Sequence, residues 1–361
     1  MANLFITGGT GFIGRKLISS LLKSSDVEII FLLVRDTNKA SIALEKQIES
    51  ADESGKKIIL LQGDVEKENF GVSGEDIKKL KSVSEVYHLA SIISLSNNED
   101  ARESIMKTNV GGIGNLIRLF YNLNKDVKFF FFSTAYSCGE TEEKVMEDWV
   151  PRPIGFRNHY EESKWLAEQE IKKFAEVNQI KFTILRPSIV SASDSSDYKE
   201  LLNQTFYYFS RTLKKGSEID SDKEEFRLLG SPNATSNIIS VSDLVRLVAH
   251  IRTLEDTKRF YNLVNPKNLD VSSFLQGIEA GLNKNVKFSF QKDLQLEQLS
   301  SGEKYIYDRT GAYVGYNMID NLIWNCSNTD EVRKTLNLPG VDNEWIKEHI
   351  IDFFSFLKNE R

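Results

Sequence analysis

Residues 7–14 read T-G-G-T-G-F-I-G, with Gly8, Gly11 and Gly14 three apart, behind a β-prone run at 3–7 and at the head of a helix-spaced segment at 11–22. Few patterns constrain a chain more. The backbone has to turn sharply, pass close to a pyrophosphate, and enter a helix that packs on the strand it has just left. The free N–H groups at the start of that helix then face the phosphates. Strand, glycine turn and helix in this order predict a dinucleotide-binding α/β domain, with Gly8, Thr10, Gly11, Phe12, Ile13 and Gly14 as its cofactor loop.

The chain continues in the same alternation. Strand-like runs at 28–34, 58–61, 85–89, 127–132 and 182–185 are separated by helical spacing at roughly 41–50, 77–81, 101–123 and 160–177. Such alternation forms a parallel sheet with right-handed crossovers and helices on both faces. The regularity weakens after Pro187. Residues 191–236 are rich in Ser, Asp and Lys and carry the aromatic cluster Phe206, Tyr207, Tyr208 and Phe209, which fits either plain core or the wall of a substrate channel. A further strand is expected at 261–264 and an amphipathic helix at 345–357. The expected architecture is a doubly wound Rossmann domain over 1–190 and a smaller substrate-binding lobe over 191–361, with a partial return to the main sheet near 237–265.

The formal charge of −6 argues against a nucleic-acid or anionic-membrane partner. The longest apolar run, 127–132, is strand-sized and interrupted by Lys128, so no membrane span is expected. The two cysteines, Cys138 and Cys326, give neither a disulfide framework nor a metal ligand set. With no secretory pattern before the first strand, a cytoplasmic location is expected.

The second predicted strand ends L-L-V-R-D. A basic side chain here suits the 2′-phosphate of NADPH, and an acidic one suits the free 2′-hydroxyl of NADH. Arg35 comes first, with Arg15 and Lys39 as possible helpers, so NADPH is expected; Asp36 keeps NADH open. Farther on, Y-E-E-S-K at 160–164 places Tyr160 and Lys164 four apart, on one helix face. Alone, such a pair is common on solvated helices. Downstream of a phosphate loop it suggests a tyrosine acid whose pKa a nearby ammonium lowers, with the lysine also holding the ribose. A hydroxyl at the end of a central strand completes the set by hydrogen-bonding a carbonyl as negative charge develops. F-F-F-F-S-T-A offers Thr134, with Ser133 as the alternative. His88 reads as a strand-end residue rather than a catalyst, and residues 141–158 as a loop over the site.

Taken together, T-G-G-T-G-F-I-G at 7–14, G-D-V at 63–65, H-L-A-S at 88–91, N-V-G-G at 109–112, S-T-A at 133–135, Y-E-E-S-K at 160–164 and L-R-P-S-I-V at 185–190 resemble the extended short-chain dehydrogenase/reductase superfamily over residues 1–265. The resemblance implies that Asp64 and Val65 contact adenine and that Leu89, Ala90 and Ser91 run along the cofactor. It also implies that Asn109 is a structural asparagine at the cofactor site, and that Pro187, Ser188 and Ile189 hold the nicotinamide end, with Ser133 nearby. L-L-V-R at 32–35, F-G-V-S at 70–73, S-T-A-Y at 133–136 and N-x-Y-E-x-S-K-x-x-A-E at 158–168 are most similar to the thioester reductase and fatty acyl-CoA reductase branch, the male-sterility-like NAD-binding proteins. That branch implies NADPH-dependent reduction of an acyl thioester, on coenzyme A or a carrier protein, to an aldehyde and in some members on to the alcohol. The alternatives on the same fold are a nucleotide-sugar epimerase or dehydratase, a ketone or aldehyde reductase, and a non-catalytic dinucleotide-binding sensor. A monomer is expected.

Overall fold

The computed structural model describes residues 1–360. Seven strands form one parallel sheet: β1 (Ala2–Thr7), β2 (Val27–Val34), β3 (Lys57–Gln62), β4 (Glu85–His88), β5 (Lys128–Phe132), β6 (Lys181–Pro187) and β7 (Phe260–Leu263). Their order is β7-β6-β5-β4-β1-β2-β3, and every pairing is parallel. An all-parallel sheet is covered on both faces, so its strands need no polar alternation. In β5 the four phenylalanines Phe129, Phe130, Phe131 and Phe132 are all buried, odd numbers to one face and even to the other.

On the first face, Leu17 and Ile18 of α1 (Phe12–Leu21) pack on Leu4, Ile6 and Leu32. On the second, Leu116 and Phe120 of α2 (Gly112–Leu123) and Ala167 and Ile171 of α3 (His159–Val177) pack on Phe5, Phe129 and Phe131. The strand order reverses between β1 and β4, and at such a switch point the crevice beyond the carboxyl ends is open to a ligand.

The remaining chain divides. Helix α4 (Thr205–Ile219) belongs to the lower lobe. Helix α5 (Val241–Ile251) goes back to the first face of the sheet, where Leu244, Leu247 and Val248 join the core below α1, and β7 follows at the sheet edge. Helices α6 (Val271–Leu282), α7 (Ser301–Thr310) and α8 (Asn343–Asn359) then complete the lower lobe. They enclose a short parallel pair, Glu225–Leu229 with Lys287–Gln291, whose Phe226, Leu228, Phe288 and Phe290 are buried. Between these elements the chain visits the main core once more, through Val332 and Leu338.

Two helices expected as single pieces are interrupted. The segment 101–123 is a helix Glu99–Met106, a wide π turn Lys107–Gly111, and then α2. The π turn carries Asn109, and such bulges form where a side chain is needed at one point of a helix wall. The segment 41–50 is two helices, Thr37–Ala43 and Glu45–Glu53, broken at Leu44, which has φ −114° and ψ 11°. Its first helix starts earlier than the periodicity suggested because Asp36 caps it. Among the described residues no helix is long and apolar enough to cross a membrane.

Candidate active site

A cleft of about 1040 Å³ runs from the carboxyl ends of β1, β2 and β4 into the lower lobe. Its cofactor end is built by the glycine turn. Gly8 has φ +73°, and a Cβ placed there would lie 2.6 Å from the amide nitrogen of Ala90. Only glycine allows both that conformation and so close an approach. Gly14 is shut in the same way, against Gly8 and Gly9, which lets α1 start tight on the turn. Gly11 is the N-cap of α1 and offers no side chain; no acid occupies the first turn, so the leading N–H groups are left for an anion. Thr10, Phe12 and Ile13 line the cleft beside them.

Arg35, Asp36 and Lys39 line the next stretch. The Asp36 carboxylate accepts from the Lys39 amide at 3.0 Å and caps the following helix. Arg35 is exposed and has no hydrogen-bond or ion-pair partner among the described residues. Arg15 does not help it: its guanidinium turns to Glu200 and the Thr10 carbonyl and stays out of the cleft. Asp64 and Val65 line the cleft from the β3 end, and Leu89, Ala90 and Ser91 from the β4 end. The Ala90 amide donates to the Thr7 hydroxyl at 3.2 Å, which fixes the β4 end to the glycine turn.

Thr134, Tyr160 and Lys164 all line the cleft, as do Ser133, Pro187, Ser188 and Ile189. Lys164 is buried, its Nζ donates to the Phe132 carbonyl at 2.9 Å, and it sits 5.8 Å from the centroid of the Tyr160 ring. Burial lowers its pKa to about 8, against the opposing pull of Glu168. Tyr160 departs from expectation. Burial raises its pKa above the ordinary tyrosine value and the neighbouring Glu161 adds to the rise, so the protein alone holds it as the neutral phenol. The Thr134 hydroxyl accepts from the Tyr136 amide at 3.3 Å and keeps its own proton free to donate.

The alternative hydroxyl is engaged elsewhere. Ser133 donates to Glu168 Oε1 at 2.5 Å, and Ser137 donates to the same oxygen at 3.0 Å. Arg186 grips both oxygens of Glu168, Nε to Oε1 at 3.0 Å and Nη2 to Oε2 at 2.6 Å, with neither side chain more than 1% exposed. The same guanidinium donates to the Met146 and Asp148 carbonyls. The sequence reading missed this buried cluster, although its signal was present: Glu168 follows Tyr160 by two helical steps of four and Lys164 by one, so it shares their side of the helix.

Asn109 does not reach the cleft. Its amide donates to the Ile92 carbonyl and to the Ser163 hydroxyl, at 3.0 and 2.9 Å, and accepts from the Ile92 amide at 2.8 Å. It fastens the loop after β4 to α3 from behind. His88 is buried and paired with Thr7 at 2.8 Å, and burial, then the charge of Lys164, lowers its pKa to about 3, so it is a neutral strand-end residue. Residues 141–158 do not cover the site. None of them lines the cleft; Trp149 packs on Phe182 and Phe260 at the sheet edge, and Arg186 holds the backbone. The aromatic cluster serves both expected uses. Phe206 and Phe209 face the cleft, whereas Tyr207 is buried against His349, its hydroxyl 2.6 Å from Nε2. Phe274, Phe290, Tyr313 and Tyr316, which no local pattern links to one another, add to the apolar wall.

These residues fit a nicotinamide dinucleotide. The Gly8 cradle, which a Cβ would fill, and the uncapped α1 terminus suit the pyrophosphate. Ser91 and Ser188 each present a buried hydroxyl with no protein partner among the described residues, and both face the cleft. Beyond the cofactor positions, the cleft is also lined by a phenol, a lysine and a threonine hydroxyl, residue types suited to proton-coupled reduction of a carbonyl.

Residues 6–232 match the male sterility protein family. The chain is 25% identical over 287 residues to fatty acyl-CoA reductase 2 of Homo sapiens, covering 68% of this chain and 53% of that protein. It is 24% identical over 251 residues to a probable polyketide synthase of Dictyostelium discoideum, covering 55% of this chain and 8% of that protein. The chain thus spans about half or less of the length of these relatives. Among solved structures, the terminal R domain from the myxalamid PKS-NRPS biosynthetic pathway superposes with a TM-score of 0.75 at 19% identity, covering 99% of this chain and 90% of that one. A UDP-glucuronic acid 4-epimerase from Bacillus cereus in complex with NAD gives 0.66 at 17% identity, covering 99% and 98%. At these identities the superpositions establish the fold.

Proposed function

Because the chain belongs to the male sterility protein family, on the extended short-chain dehydrogenase/reductase fold, we propose that it is an NADPH-dependent reductase of acyl thioesters, carried on coenzyme A or on a carrier protein, with an aldehyde as product. The observation that carries this reading is the continuity of one cleft: the glycine cradle, the Thr134–Tyr160–Lys164 centre and an apolar aromatic section line it in turn. Membership alone would not distinguish a catalyst from a dinucleotide-binding sensor; a complete proton-donating centre beside an acyl-sized apolar space favours the catalyst.

The cofactor, when bound, supplies hydride to the thioester carbonyl carbon. Thr134 and Tyr160 donate hydrogen bonds to the carbonyl oxygen as it gains charge, and Tyr160 gives up its proton there. The protein's raising of the Tyr160 pKa keeps the proton on the phenol until the oxygen becomes basic. Lys164 stabilises the phenolate that results and binds the ribose, and the Phe132 carbonyl holds it in place. Pro187 to Ile189, with Ser91, orient the nicotinamide end; Asp64 and Val65 hold the adenine end. The hemithioacetal then releases a thiol.

The test is loss of reduced-nicotinamide absorbance with a panel of acyl-CoA thioesters, alongside titration of released thiol. Coupled loss and release are expected. Conversion of UDP-sugars with retained NAD instead would move the protein to the epimerase reading.

NADPH is the preferred cofactor because Arg35 is free while Asp36 is committed to its cap. Arg35→Ala should raise the Kd for NADPH about tenfold, the loss of a charge-assisted hydrogen bond to phosphate, and leave NADH binding unchanged. Equal weakening for both cofactors in a fluorescence titration would remove Arg35 from the 2′-phosphate site.

Lys164 also gives a pH prediction. Its folded pKa is depressed to about 8, so the ammonium is present below that value and is lost as pH rises through it. Since kcat/KM reports the free enzyme, it should fall on the alkaline side with an apparent pKa of about 8. A profile flat well above that pH would contradict a required ammonium.

A further inference from the structure

We infer that Phe209 ends the acyl section of the cleft and sets the acyl chain length accepted. This inference rests on the thioester reading above. A second, much smaller cavity of about 10 Å³ lies behind the cleft in the lower lobe, room for about one water. Leu228, Leu229, Leu294, Leu299, Ile306 and Val314 form its apolar side. Two residues line both spaces, Phe209 and Asn317. Phe209, from α4, therefore stands as a partition between the cleft and a space whose wall is mostly leucine, isoleucine and valine, with Arg227, Glu303, Tyr307 and Thr310 completing it.

The partition is rigid. Phe209 is 5% exposed, and its ring lies 6.0 Å from that of Phe274 and 6.1 Å, edge to face, from that of Tyr313. A chain that stops short of the ring leaves apolar surface unburied, and each added methylene that fits improves kcat/KM about fourfold. A chain one step too long meets a braced ring and loses about tenfold or more. Removing the ring joins the two spaces, and the joined wall is still mainly apolar. The break in the length profile then moves to longer chains.

The experiment compares wild type, Phe209→Leu and Phe209→Ala on straight-chain saturated acyl-CoAs of increasing length, with NADPH affinity measured on each protein. Wild type should rise with length and then break. The break should move to longer chains in Phe209→Leu and farther in Phe209→Ala, the first excluded chain recovering about tenfold or more. If Phe209→Ala does not fold, the closer-sized Phe209→Leu still gives the shift. A profile with no break in wild type, or a break unmoved in a variant that binds NADPH normally, overturns the inference. Calorimetry with non-reactive thioether analogues separates it from the functional reading. A length limit in binding that moves with residue 209, without turnover of any thioester, would sink the reductase assignment and leave the role of Phe209 standing.

Discussion

Tyr160→Phe should lower kcat by about 10²–10⁴-fold and leave NADPH affinity within about twofold of wild type. The substitution removes one oxygen. The ring stays, and with it the apolar surface that Tyr160 presents to the cleft. The phenol's proton is lost: Ser133 is spent on Glu168, His88 is neutral and paired to Thr7, and Thr134 can donate a hydrogen bond but is too weak an acid to surrender its proton, which leaves the Lys164 ammonium, held on the Phe132 carbonyl, as the strongest acid nearby. The cofactor loop is remote from the change, because Gly8, Gly11 and the α1 terminus hold their geometry by backbone contacts. Stopped turnover with an unchanged NADPH titration is therefore the signature of the acid role. Turnover within about tenfold of wild type would transfer that role to another donor, with Lys164 the first to test.

The environment of Tyr160 also shows where sequence reading stops. The i, i+4 spacing correctly placed Tyr160 and Lys164 on one face, because helical geometry is local. It suggested a lowered phenol pKa, because a cation four residues away is visible in sequence and desolvation is not. Burial, which depends on the whole fold, is the larger effect at both groups. The same division runs through the molecule. The six strands of the first half and their helices were legible because a parallel sheet writes itself as apolar runs alternating with helical spacing. Asp36 and Arg35 were ambiguous because either side chain suits a strand end; the N-cap that engages Asp36 is a local contact with the Lys39 amide, hidden because the apolar periodicity placed the helix start near residue 41. Residues 141–158 were expected over the site because their ends, Thr134 and Tyr160, are in it. They lie along the sheet edge because Arg186, distant in sequence, captures the Met146 and Asp148 carbonyls. The lower lobe was legible only in part, since its cleft wall takes residues from six separate segments from Phe206 to Ile346 and no local period links them.

The second large effect concerns that same arginine. Arg186→Met should destabilise the protein by about 3–5 kcal/mol, seen as a lower urea midpoint at unchanged slope. Methionine replaces the volume and keeps contact with Phe260, over whose ring the guanidinium now sits at 5.0 Å. It leaves the Glu168 carboxylate buried without a cation, satisfied by Ser133 and Ser137 at one oxygen and by nothing at the other. It also strips donors from two loop carbonyls. Removing the carboxylate as well, in Glu168→Leu/Arg186→Met, should restore much of the loss, because a well-packed apolar pair costs little where a half-broken ion pair costs most. Activity should not return with stability. Glu168 ties α3, which carries Tyr160 and Lys164, to Ser133 beside Thr134, so the apolar pair frees the two halves of the catalytic centre to shift against each other. If the double variant recovers full kcat along with its stability, the cluster is a fold element alone, and the placement of Tyr160 relative to Thr134 is set by the strand and helix backbones without it.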